Sequence, residues 1–423
     1  MSVTYDLNTI PSLIDLISNS ENDSSKNEKD TDSLKLVKRQ CKSAHNINYN
    51  LITYDKSVLC YDLINSIGLC RSVILNASNE LVCFAPPKSL KFDQFKNKHP
   101  IINSNIIVQE FVEGTMINAF WDKSIGLNGA WEIATRQTIG ANSGFYKYKD
   151  SKTFRQMFLE AAAENHFYLD LLNKNFCYSF VLQHPENRIV VPFSKKKLYI
   201  VGMYSILPER KVISYNINRM KDLDWYGSTI SFPNTYSGSM NDTYEDYQKK
   251  YASHNTSYDI MGVVFYNIVT GERTKLRNPV YENVRSMKGN QPKIQFQYYI
   301  LRKTGRVGEF LKYYPEQKAY FSTLRDDIHK FTHTLFNNYY ECFIKKNKLV
   351  NEYDQYKLHM CNLHKIYIDS LTNGKKTIIT FDIVKNYVNN MEIPLLMYAI
   401  NYPFRKRYLD FQKDKQKPLS GDL

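Results

Sequence analysis

The run VQEFVEGTMINAF (108–120) carries an acidic turn, Glu113-Gly114, in the frame of a Lys-x-Asp/Glu-Gly nucleophile motif. Phe111 stands at the lysine position, and a phenyl ring is no nucleophile in any protonation state. Lys91, Lys96 and Lys98 fall too far upstream of the turn to take its place. Whether the chain is an enzyme hangs on this position. Elsewhere the sequence supplies fixed cations. Arg71 leads RSVIL, Thr135 and Arg136 sit in WEIATRQTIG (131–140), Arg188 in PENRIVVPF (185–193), and Lys275 and Arg277 in TKLRNPVY (274–281). Guanidinium and ammonium groups neutralise phosphate without being consumed, so the chemistry on offer is anion binding more than bond making.

Other reactive residue types are less organised. His359, Cys361 and His364 lie in HMCNLH. Positions i and i+2 do not share a helix face, and no fourth ligand is near, so no metal site is expected. His184 in LQHPEN reads as a turn histidine held by its neighbours. Tyr146, Tyr178, Phe180, Phe193 and Tyr266 offer stacking faces beside the basic residues, although strand aromatics more often face a core.

The elements that must position these residues follow from pattern. Residues 1–18 include the short apolar stretch IPSLIDLI, expected as a helix or docking segment, and SNSENDSSKNEKDTDS (18–33) has the composition of a flexible linker. From about 45 to 275, short β-branched and aromatic runs (RSVIL, LVCFA, NIIVQEF, YSFVL, KLYIVGMYSIL, IMGVVFY) alternate with Gly, Pro, Asn and charged turns, which predicts strands. One insert, 151–172, has apolar residues at helical spacing. After about 300 the three- and four-residue spacing of YFSTLRDDIHKFTHTLFNNYYECF predicts helices.

Composition sets the outer bounds. The 423 residues suffice for two or three domains, and 43% hydrophobic with 14% aromatic residues is a globular balance. No run reaches the ~18 apolar residues of a membrane span, and no secretory pattern opens the chain. The seven cysteines include no CxxC pair and are odd in number, which reads as reduced thiols in a cytoplasmic setting. A formal net charge of +14 favours an anionic partner, with nucleic acid ahead of a membrane surface.

Taken in order, the segments CRSVIL, FAPPKSLKFDQF, EFVEGTMI, WEIATRQTIG, YSFVLQHPENRIVVPF, IMGVVFY and TKLRNPVY resemble the box series of the covalent nucleotidyltransferase superfamily. They are most similar to phage-type RNA ligases, and to RNA ligase-like proteins of large cytoplasmic DNA viruses. The resemblance covers roughly residues 60–300. In that family a lysine takes AMP from ATP, two glutamates help place ribose and a divalent cation, and paired lysines stabilise the phosphates. By this resemblance Phe111 occupies the nucleophile position, while Val181 and Met261 occupy the two glutamate positions. Lys275 keeps the first basic position of the last box and Arg277 replaces the second. Arg71 is kept, with Ser72 in place of glycine.

These readings together predict an α+β chain. An N-terminal segment with linker (1–44) precedes an antiparallel-sheet nucleotidyltransferase domain (45–300) and a helical C-terminal domain (301–423). The leading functional expectation is a catalytically impaired RNA ligase-like protein that binds RNA or nucleotide. Arg71, Glu113, Gly114, Thr135, Arg136, Arg188, Lys275 and Arg277 are its expected cleft residues. No cofactor is assigned to it with certainty and no metal ligand is named, with ATP and magnesium reserved for an active form, and it is expected in the cytoplasm or a viral factory. One alternative is an active ATP-dependent RNA ligase that uses ATP and magnesium through a displaced nucleophile. The other is a structural or interaction subunit of a larger viral complex, binding protein partners through the C-terminal helices.

Overall fold

The computed structural model describes residues 2–18, 36–145, 151–236, 242–374 and 376–408. It divides into two compact units, Met1–Ser286 and Met287–Leu423. The strands of the first unit are β1 (Ser2–Asp6), β2 (Leu36–Lys42), β3 (Asn48–Tyr54), β4 (Val73–Leu75), β5 (Leu81–Cys83), β6 (Ile106–Glu110) and β7 (Thr115–Asp122). They continue with β8 (Ala130–Ala134), β9 (Phe176–Gln183), β10 (Lys197–Leu207), β11 (Lys211–Tyr215), β12 (Thr235–Tyr236), β13 (Gly262–Asn267) and β14 (Arg273–Arg277). Its helices are α1 (Pro11–Ser18), α2 (Phe92–Lys98), α3 (Phe154–Glu164), α4 (Ile217–Lys221), α5 (Tyr244–Tyr251) and α6 (Pro279–Lys288).

Three sheets result, with the orders β1-β11-β10-β9-β7-β8, β12-β6-β13-β14 and β2-β3-β4-β5. Adjacent strands run antiparallel, as in β7 with β9 and β13 with β14. Strand β9 explains how the largest sheet is covered. Its two-residue period turns Tyr178, Phe180 and Leu182 toward α3, where they pack with Met157, Phe158 and Ala161. Cys177, on the other face, joins Phe84, Phe120 and Tyr204 in a second core. Phe180 is fully buried, which contributes about 2–3 kcal/mol relative to an exposed ring. Helix α3 starts cleanly because Thr153 and Gln156 cap each other. The Gln156 N–H donates to the Thr153 hydroxyl at 3.2 Å, and the Thr153 N–H to the Gln156 side chain at 2.9 Å.

The second unit is helical: α7 (Ile294–Lys303), α8 (Val307–Tyr313), α9 (Lys318–Tyr339), α10 (Lys357–Thr372), α11 (Phe381–Asn390) and α12 (Ile393–Ile400). In α9, Phe321, Leu324, Ile328, Phe331, Leu335 and Tyr339 are buried at three- and four-residue intervals, one continuous apolar stripe. The chain is thus α+β, as its sequence pattern predicts.

Several boundaries differ from the sequence reading. Residues 2–18 are not a detached docking segment. Strand β1 pairs along β11, and Leu7, Ile10, Leu13 and Ile17 enter the core that contains Phe84. Alternation is hard to see in so short an edge strand, so the pattern suggested a helix or docking segment; the helix is present as α1, and the strand before it went unseen. Strand β2 begins at Leu36, ahead of the expected start near 45, and the helical stretch begins with α6 at Pro279. The expected linker lies, from residue 19 to 33, outside the described residues. None of the described helices is long and apolar enough to cross a membrane. All seven cysteines are free, and Cys70, Cys83, Cys177 and Cys342 are buried.

Candidate phosphate-binding cleft

The turn between β6 and β7 is fixed from both sides. The Phe111 N–H donates to the Gly262 carbonyl at 3.1 Å, which ties the turn to the start of β13. The buried Glu113 carboxylate accepts from the Val190 and Val191 N–H groups at 2.8 and 3.1 Å. It also holds the Tyr281 hydroxyl, whose pKa is raised by burial first and by this carboxylate second. Gly114 has φ +150°, and a Cβ there would meet the Leu182 carbonyl oxygen at 2.4 Å, so only glycine fits against β9. The turn is therefore rigid, and its half-buried Phe111 projects toward β14. Lys275 and Arg277, two apart on β14 and hence on one face, both reach the ring. The Lys275 Nζ lies 4.5 Å and the Arg277 Cζ 5.3 Å from its centroid, within cation–π range.

Phe111, Val181 and Met261, assigned to the nucleophile and the two glutamates by sequence, line one cavity of about 460 Å³. Thr135, Arg136, Lys275 and Arg277 share its walls. A second cavity of about 900 Å³ adds Tyr54, Lys56, Lys88 and Lys91. Arg71, Arg136, Lys275, Arg277 and Arg285 border both, so the two are compartments of one cleft.

The electrostatics of this cleft are those of like charges held together. Burial first, and then Arg273, Arg71, Arg277 and Lys88, hold the Lys275 ammonium well below the usual lysine pKa. Burial and the neighbouring Arg273 push Arg71 down to about 10. Lys88 is lowered by burial and then by Arg71, Arg136 and Arg277. The Arg136 guanidinium sits 5.3 Å over the Tyr54 ring. Its buried Nε has no hydrogen-bond partner among the described residues. The Arg71 Nη1 donates to the Pro86 carbonyl at 3.5 Å. No aspartate or glutamate among the described residues lines either cavity; Glu282 on α6 pairs with Arg277, and with Arg285 at 3.7 Å.

Such walls suit phosphate oxygens, and Phe111, Met116, Val181 and Met261 add an apolar side of the kind a base packs against. They do not suit a divalent cation, which takes carboxylate oxygens. Of the sequence candidates, Arg71, Gly114, Thr135, Arg136, Lys275 and Arg277 come together with Phe111. Glu113 does not face the cleft, because its carboxylate is used up capping backbone. Arg188 lines neither cavity; its Nε donates to the Val190 carbonyl at 2.9 Å. The sequence reading passed over Lys88 and Arg285. Lys88 stood in the quoted FAPPKSLKF segment, whereas Arg285 is delivered by α6 and had no local signal.

The remaining candidates resolve elsewhere. Tyr178 and Phe180 are core residues, and Tyr146 lies outside the described residues. The His359 Nδ1 pairs with the Tyr387 hydroxyl at 2.9 Å. Glu160, His184 and Glu186 gather their ligand atoms within 4.8 Å. Lys152 already pairs with Glu160 at 2.9 Å and Glu186 at 2.6 Å, so an ammonium holds the place a metal would need.

One curated relative is an RNA ligase, the kind of protein that the box series resembles. No family model matches the chain. An RNA ligase of Rhodothermus phage RM378 is 30% identical over 108 residues, 24% of this chain and 23% of that protein, so the match spans about a quarter of either. Among solved structures, an archaeal ATP-dependent RNA ligase covers 77% of this chain and 80% of its own, at 9% identity and a TM-score of 0.41. A Naegleria gruberi RNA ligase variant with AMP and Mn covers 49% of this chain and 59% of its own, at 13% identity and a TM-score of 0.35.

Proposed function

We propose that the chain is an RNA ligase-like protein of the covalent nucleotidyltransferase superfamily, and that it binds the phosphates of RNA or of a nucleotide without forming an enzyme–AMP bond. The observation that carries this reading is the environment of Phe111. A ring stands where an amine would attack, under two cations that face the same cavity. Adenylyl transfer needs a nucleophile beside the α-phosphorus and a metal to offset charge on the leaving pyrophosphate. Phe111 cannot supply the first, and Val181 and Met261 offer no oxygen to hold the second. The cationic walls still suit the ligand's phosphates, because arginine and lysine bind them in the ground state. ATP and magnesium are what such a site would use if it were active.

The test is incubation with α-labelled ATP and magnesium or manganese, followed by acid and hydroxylamine treatment, with single-stranded RNA binding measured in parallel. The expected result is no label on the protein and RNA binding that weakens steeply with salt. An acid-labile AMP adduct would overturn the reading in favour of an active ligase with a displaced lysine. Absence of any RNA or ATP binding at low salt would overturn it in favour of an interaction subunit.

A further inference from the structure

The cleft is richer in cations than a nucleotide monophosphate requires. Arg71, Lys88, Arg136, Lys275, Arg277 and Arg285 border it, and none of the described residues lining it is acidic. A divalent cation is ordinarily held at a phosphate site by carboxylates and keeps several waters. Here the two positions that the box order assigns to carboxylates are the apolar Val181 and Met261, both on the cavity wall. Resting on the binding role proposed above, we infer that the cleft takes a polyphosphate group, a nucleoside triphosphate or a 5′-triphosphorylated RNA end, and that fixed side-chain cations replace the divalent ion.

Three observations carry this independently of the sequence resemblance. First, the side chains are not paid off internally. Glu282 serves Arg277 and Arg285 together, whereas the buried Arg136 Nε has no hydrogen-bond partner among the described residues. A buried donor of this kind is costly unless a ligand acceptor meets it. Second, the cations are crowded enough to depress one another. Lys275, Arg71 and Lys88 are each shifted down by their neighbours as well as by burial. An anion of several charges relieves that repulsion, while a single phosphate relieves little of it. Third, the two compartments, of about 460 and 900 Å³, leave room for a base on the Phe111 side and a phosphate run beyond it.

A carboxylate-lined site and this one respond oppositely to magnesium. In the first, the metal bridges protein and phosphate and tightens binding. In the second, it coats the phosphates and competes with the arginines. The experiment measures binding of one RNA oligonucleotide carrying either a 5′-triphosphate or a 5′-hydroxyl. Each is titrated in EDTA and in magnesium at matched ionic strength, with unlabelled ATP as competitor. The triphosphate end is expected to bind at least tenfold more tightly than the hydroxyl end in EDTA, with magnesium leaving that preference unchanged or smaller. Arg136→Gln should erase most of the preference. Competition by ATP identifies the nucleotide as the shared ligand, and triphosphate preference without competition identifies the RNA end. Equal binding of the two ends, or a preference that appears only with magnesium, overturns the inference while leaving RNA binding intact. If neither RNA nor ATP binds, the proposed function itself has failed.

Discussion

Replacing Phe111 by lysine tests the site where the argument is sharpest. An amine near the present ring centroid would stand about as far from the Lys275 Nζ and the Arg277 Cζ as the ring does, 4.5 and 5.3 Å. At an effective dielectric near 20, each pair repels by roughly 3–4 kcal/mol. That is enough to strip the new ammonium of its proton at neutral pH. The cost of folding with a neutral lysine that is charged when unfolded is then about 4–5 kcal/mol at pH 7. Loss of the two cation–π contacts adds about 0.5–2 kcal/mol each. The sign is set by linkage: the folded-state pKa lies below the unfolded one, so the penalty shrinks as pH rises, by about 1.4 kcal/mol per pH unit. The assay is urea unfolding of wild type, Phe111→Lys and the uncharged control Phe111→Met at pH 7, 8 and 9. Phe111→Lys should recover stability relative to Phe111→Met across that range. It should still form no AMP adduct, since Val181 and Met261 remain apolar. A penalty that does not change with pH would show that the amine escapes to water, and that position 111 is not held between the two cations.

Other expectations follow from the same geometry. If Arg136 contacts a phosphate of single-stranded RNA, Arg136→Gln should reduce the slope of log K against log salt by about 0.7, measured by anisotropy over a salt series. Lys275 is depressed by burial and by Arg273, Arg71, Arg277 and Lys88, and a bound polyanion raises its pKa again. Binding should therefore take up a proton at pH values below the ordinary lysine range, and affinity should fall as pH rises through the Lys275 pKa. Calorimetry in two buffers of different ionisation enthalpy checks this, and identical heats would refute it. Gly262→Ala should cost roughly 1–3 kcal/mol of unfolding free energy, since φ is +126° and the new Cβ would meet the Leu276 carbonyl oxygen at 2.1 Å. Glu113→Gln should lower stability by about 1–3 kcal/mol by weakening its bonds to Val190 and Val191, yet leave RNA affinity of the folded protein unchanged.

Much of this was legible in the sequence because strands announce themselves by period. YSFVLQ and KLYIVGMYSIL are β-branched and aromatic runs bounded by turn residues, and they fall in β9 and β10. The order of the boxes was enough to bring Arg71, Arg136, Lys275 and Arg277 to one place, because each sits at a strand end or on a strand face whose direction the period fixes. The failures have a common cause too. Glu113 and Arg188 were read as cleft residues from their place in the box series, but a turn residue's side chain goes where backbone donors and acceptors need it. Val190 and Val191 claim Glu113, and the Val190 carbonyl accepts from Arg188. Arg285 was missed for the converse reason. It comes from α6, the helix that follows β14, and no local pattern says which way such a helix will present its faces. The N-terminal strand β1 was missed because five residues on a sheet edge carry too little alternation to stand out.

The apolar trio and the cationic walls make physical sense only as a pair. Carboxylates at 181 and 261 would lie in the same cavity as Lys275 and Arg277 and would neutralise them, leaving less field for an incoming anion. With valine and methionine there, the repulsion among the basic groups is left standing in the ligand-free protein, which lowers its stability. That same repulsion becomes affinity when several phosphate charges enter, so the cleft is destabilised in a way that only its ligand repairs. Phe111 completes the arrangement. Its ring face attracts the two nearest cations without cancelling their charge, and of the two only Arg277 pairs with a carboxylate, Glu282, among the described residues. A lysine would repel them, and a glutamate would consume them. On the proposed reading, the site holds phosphates and leaves their bonds alone.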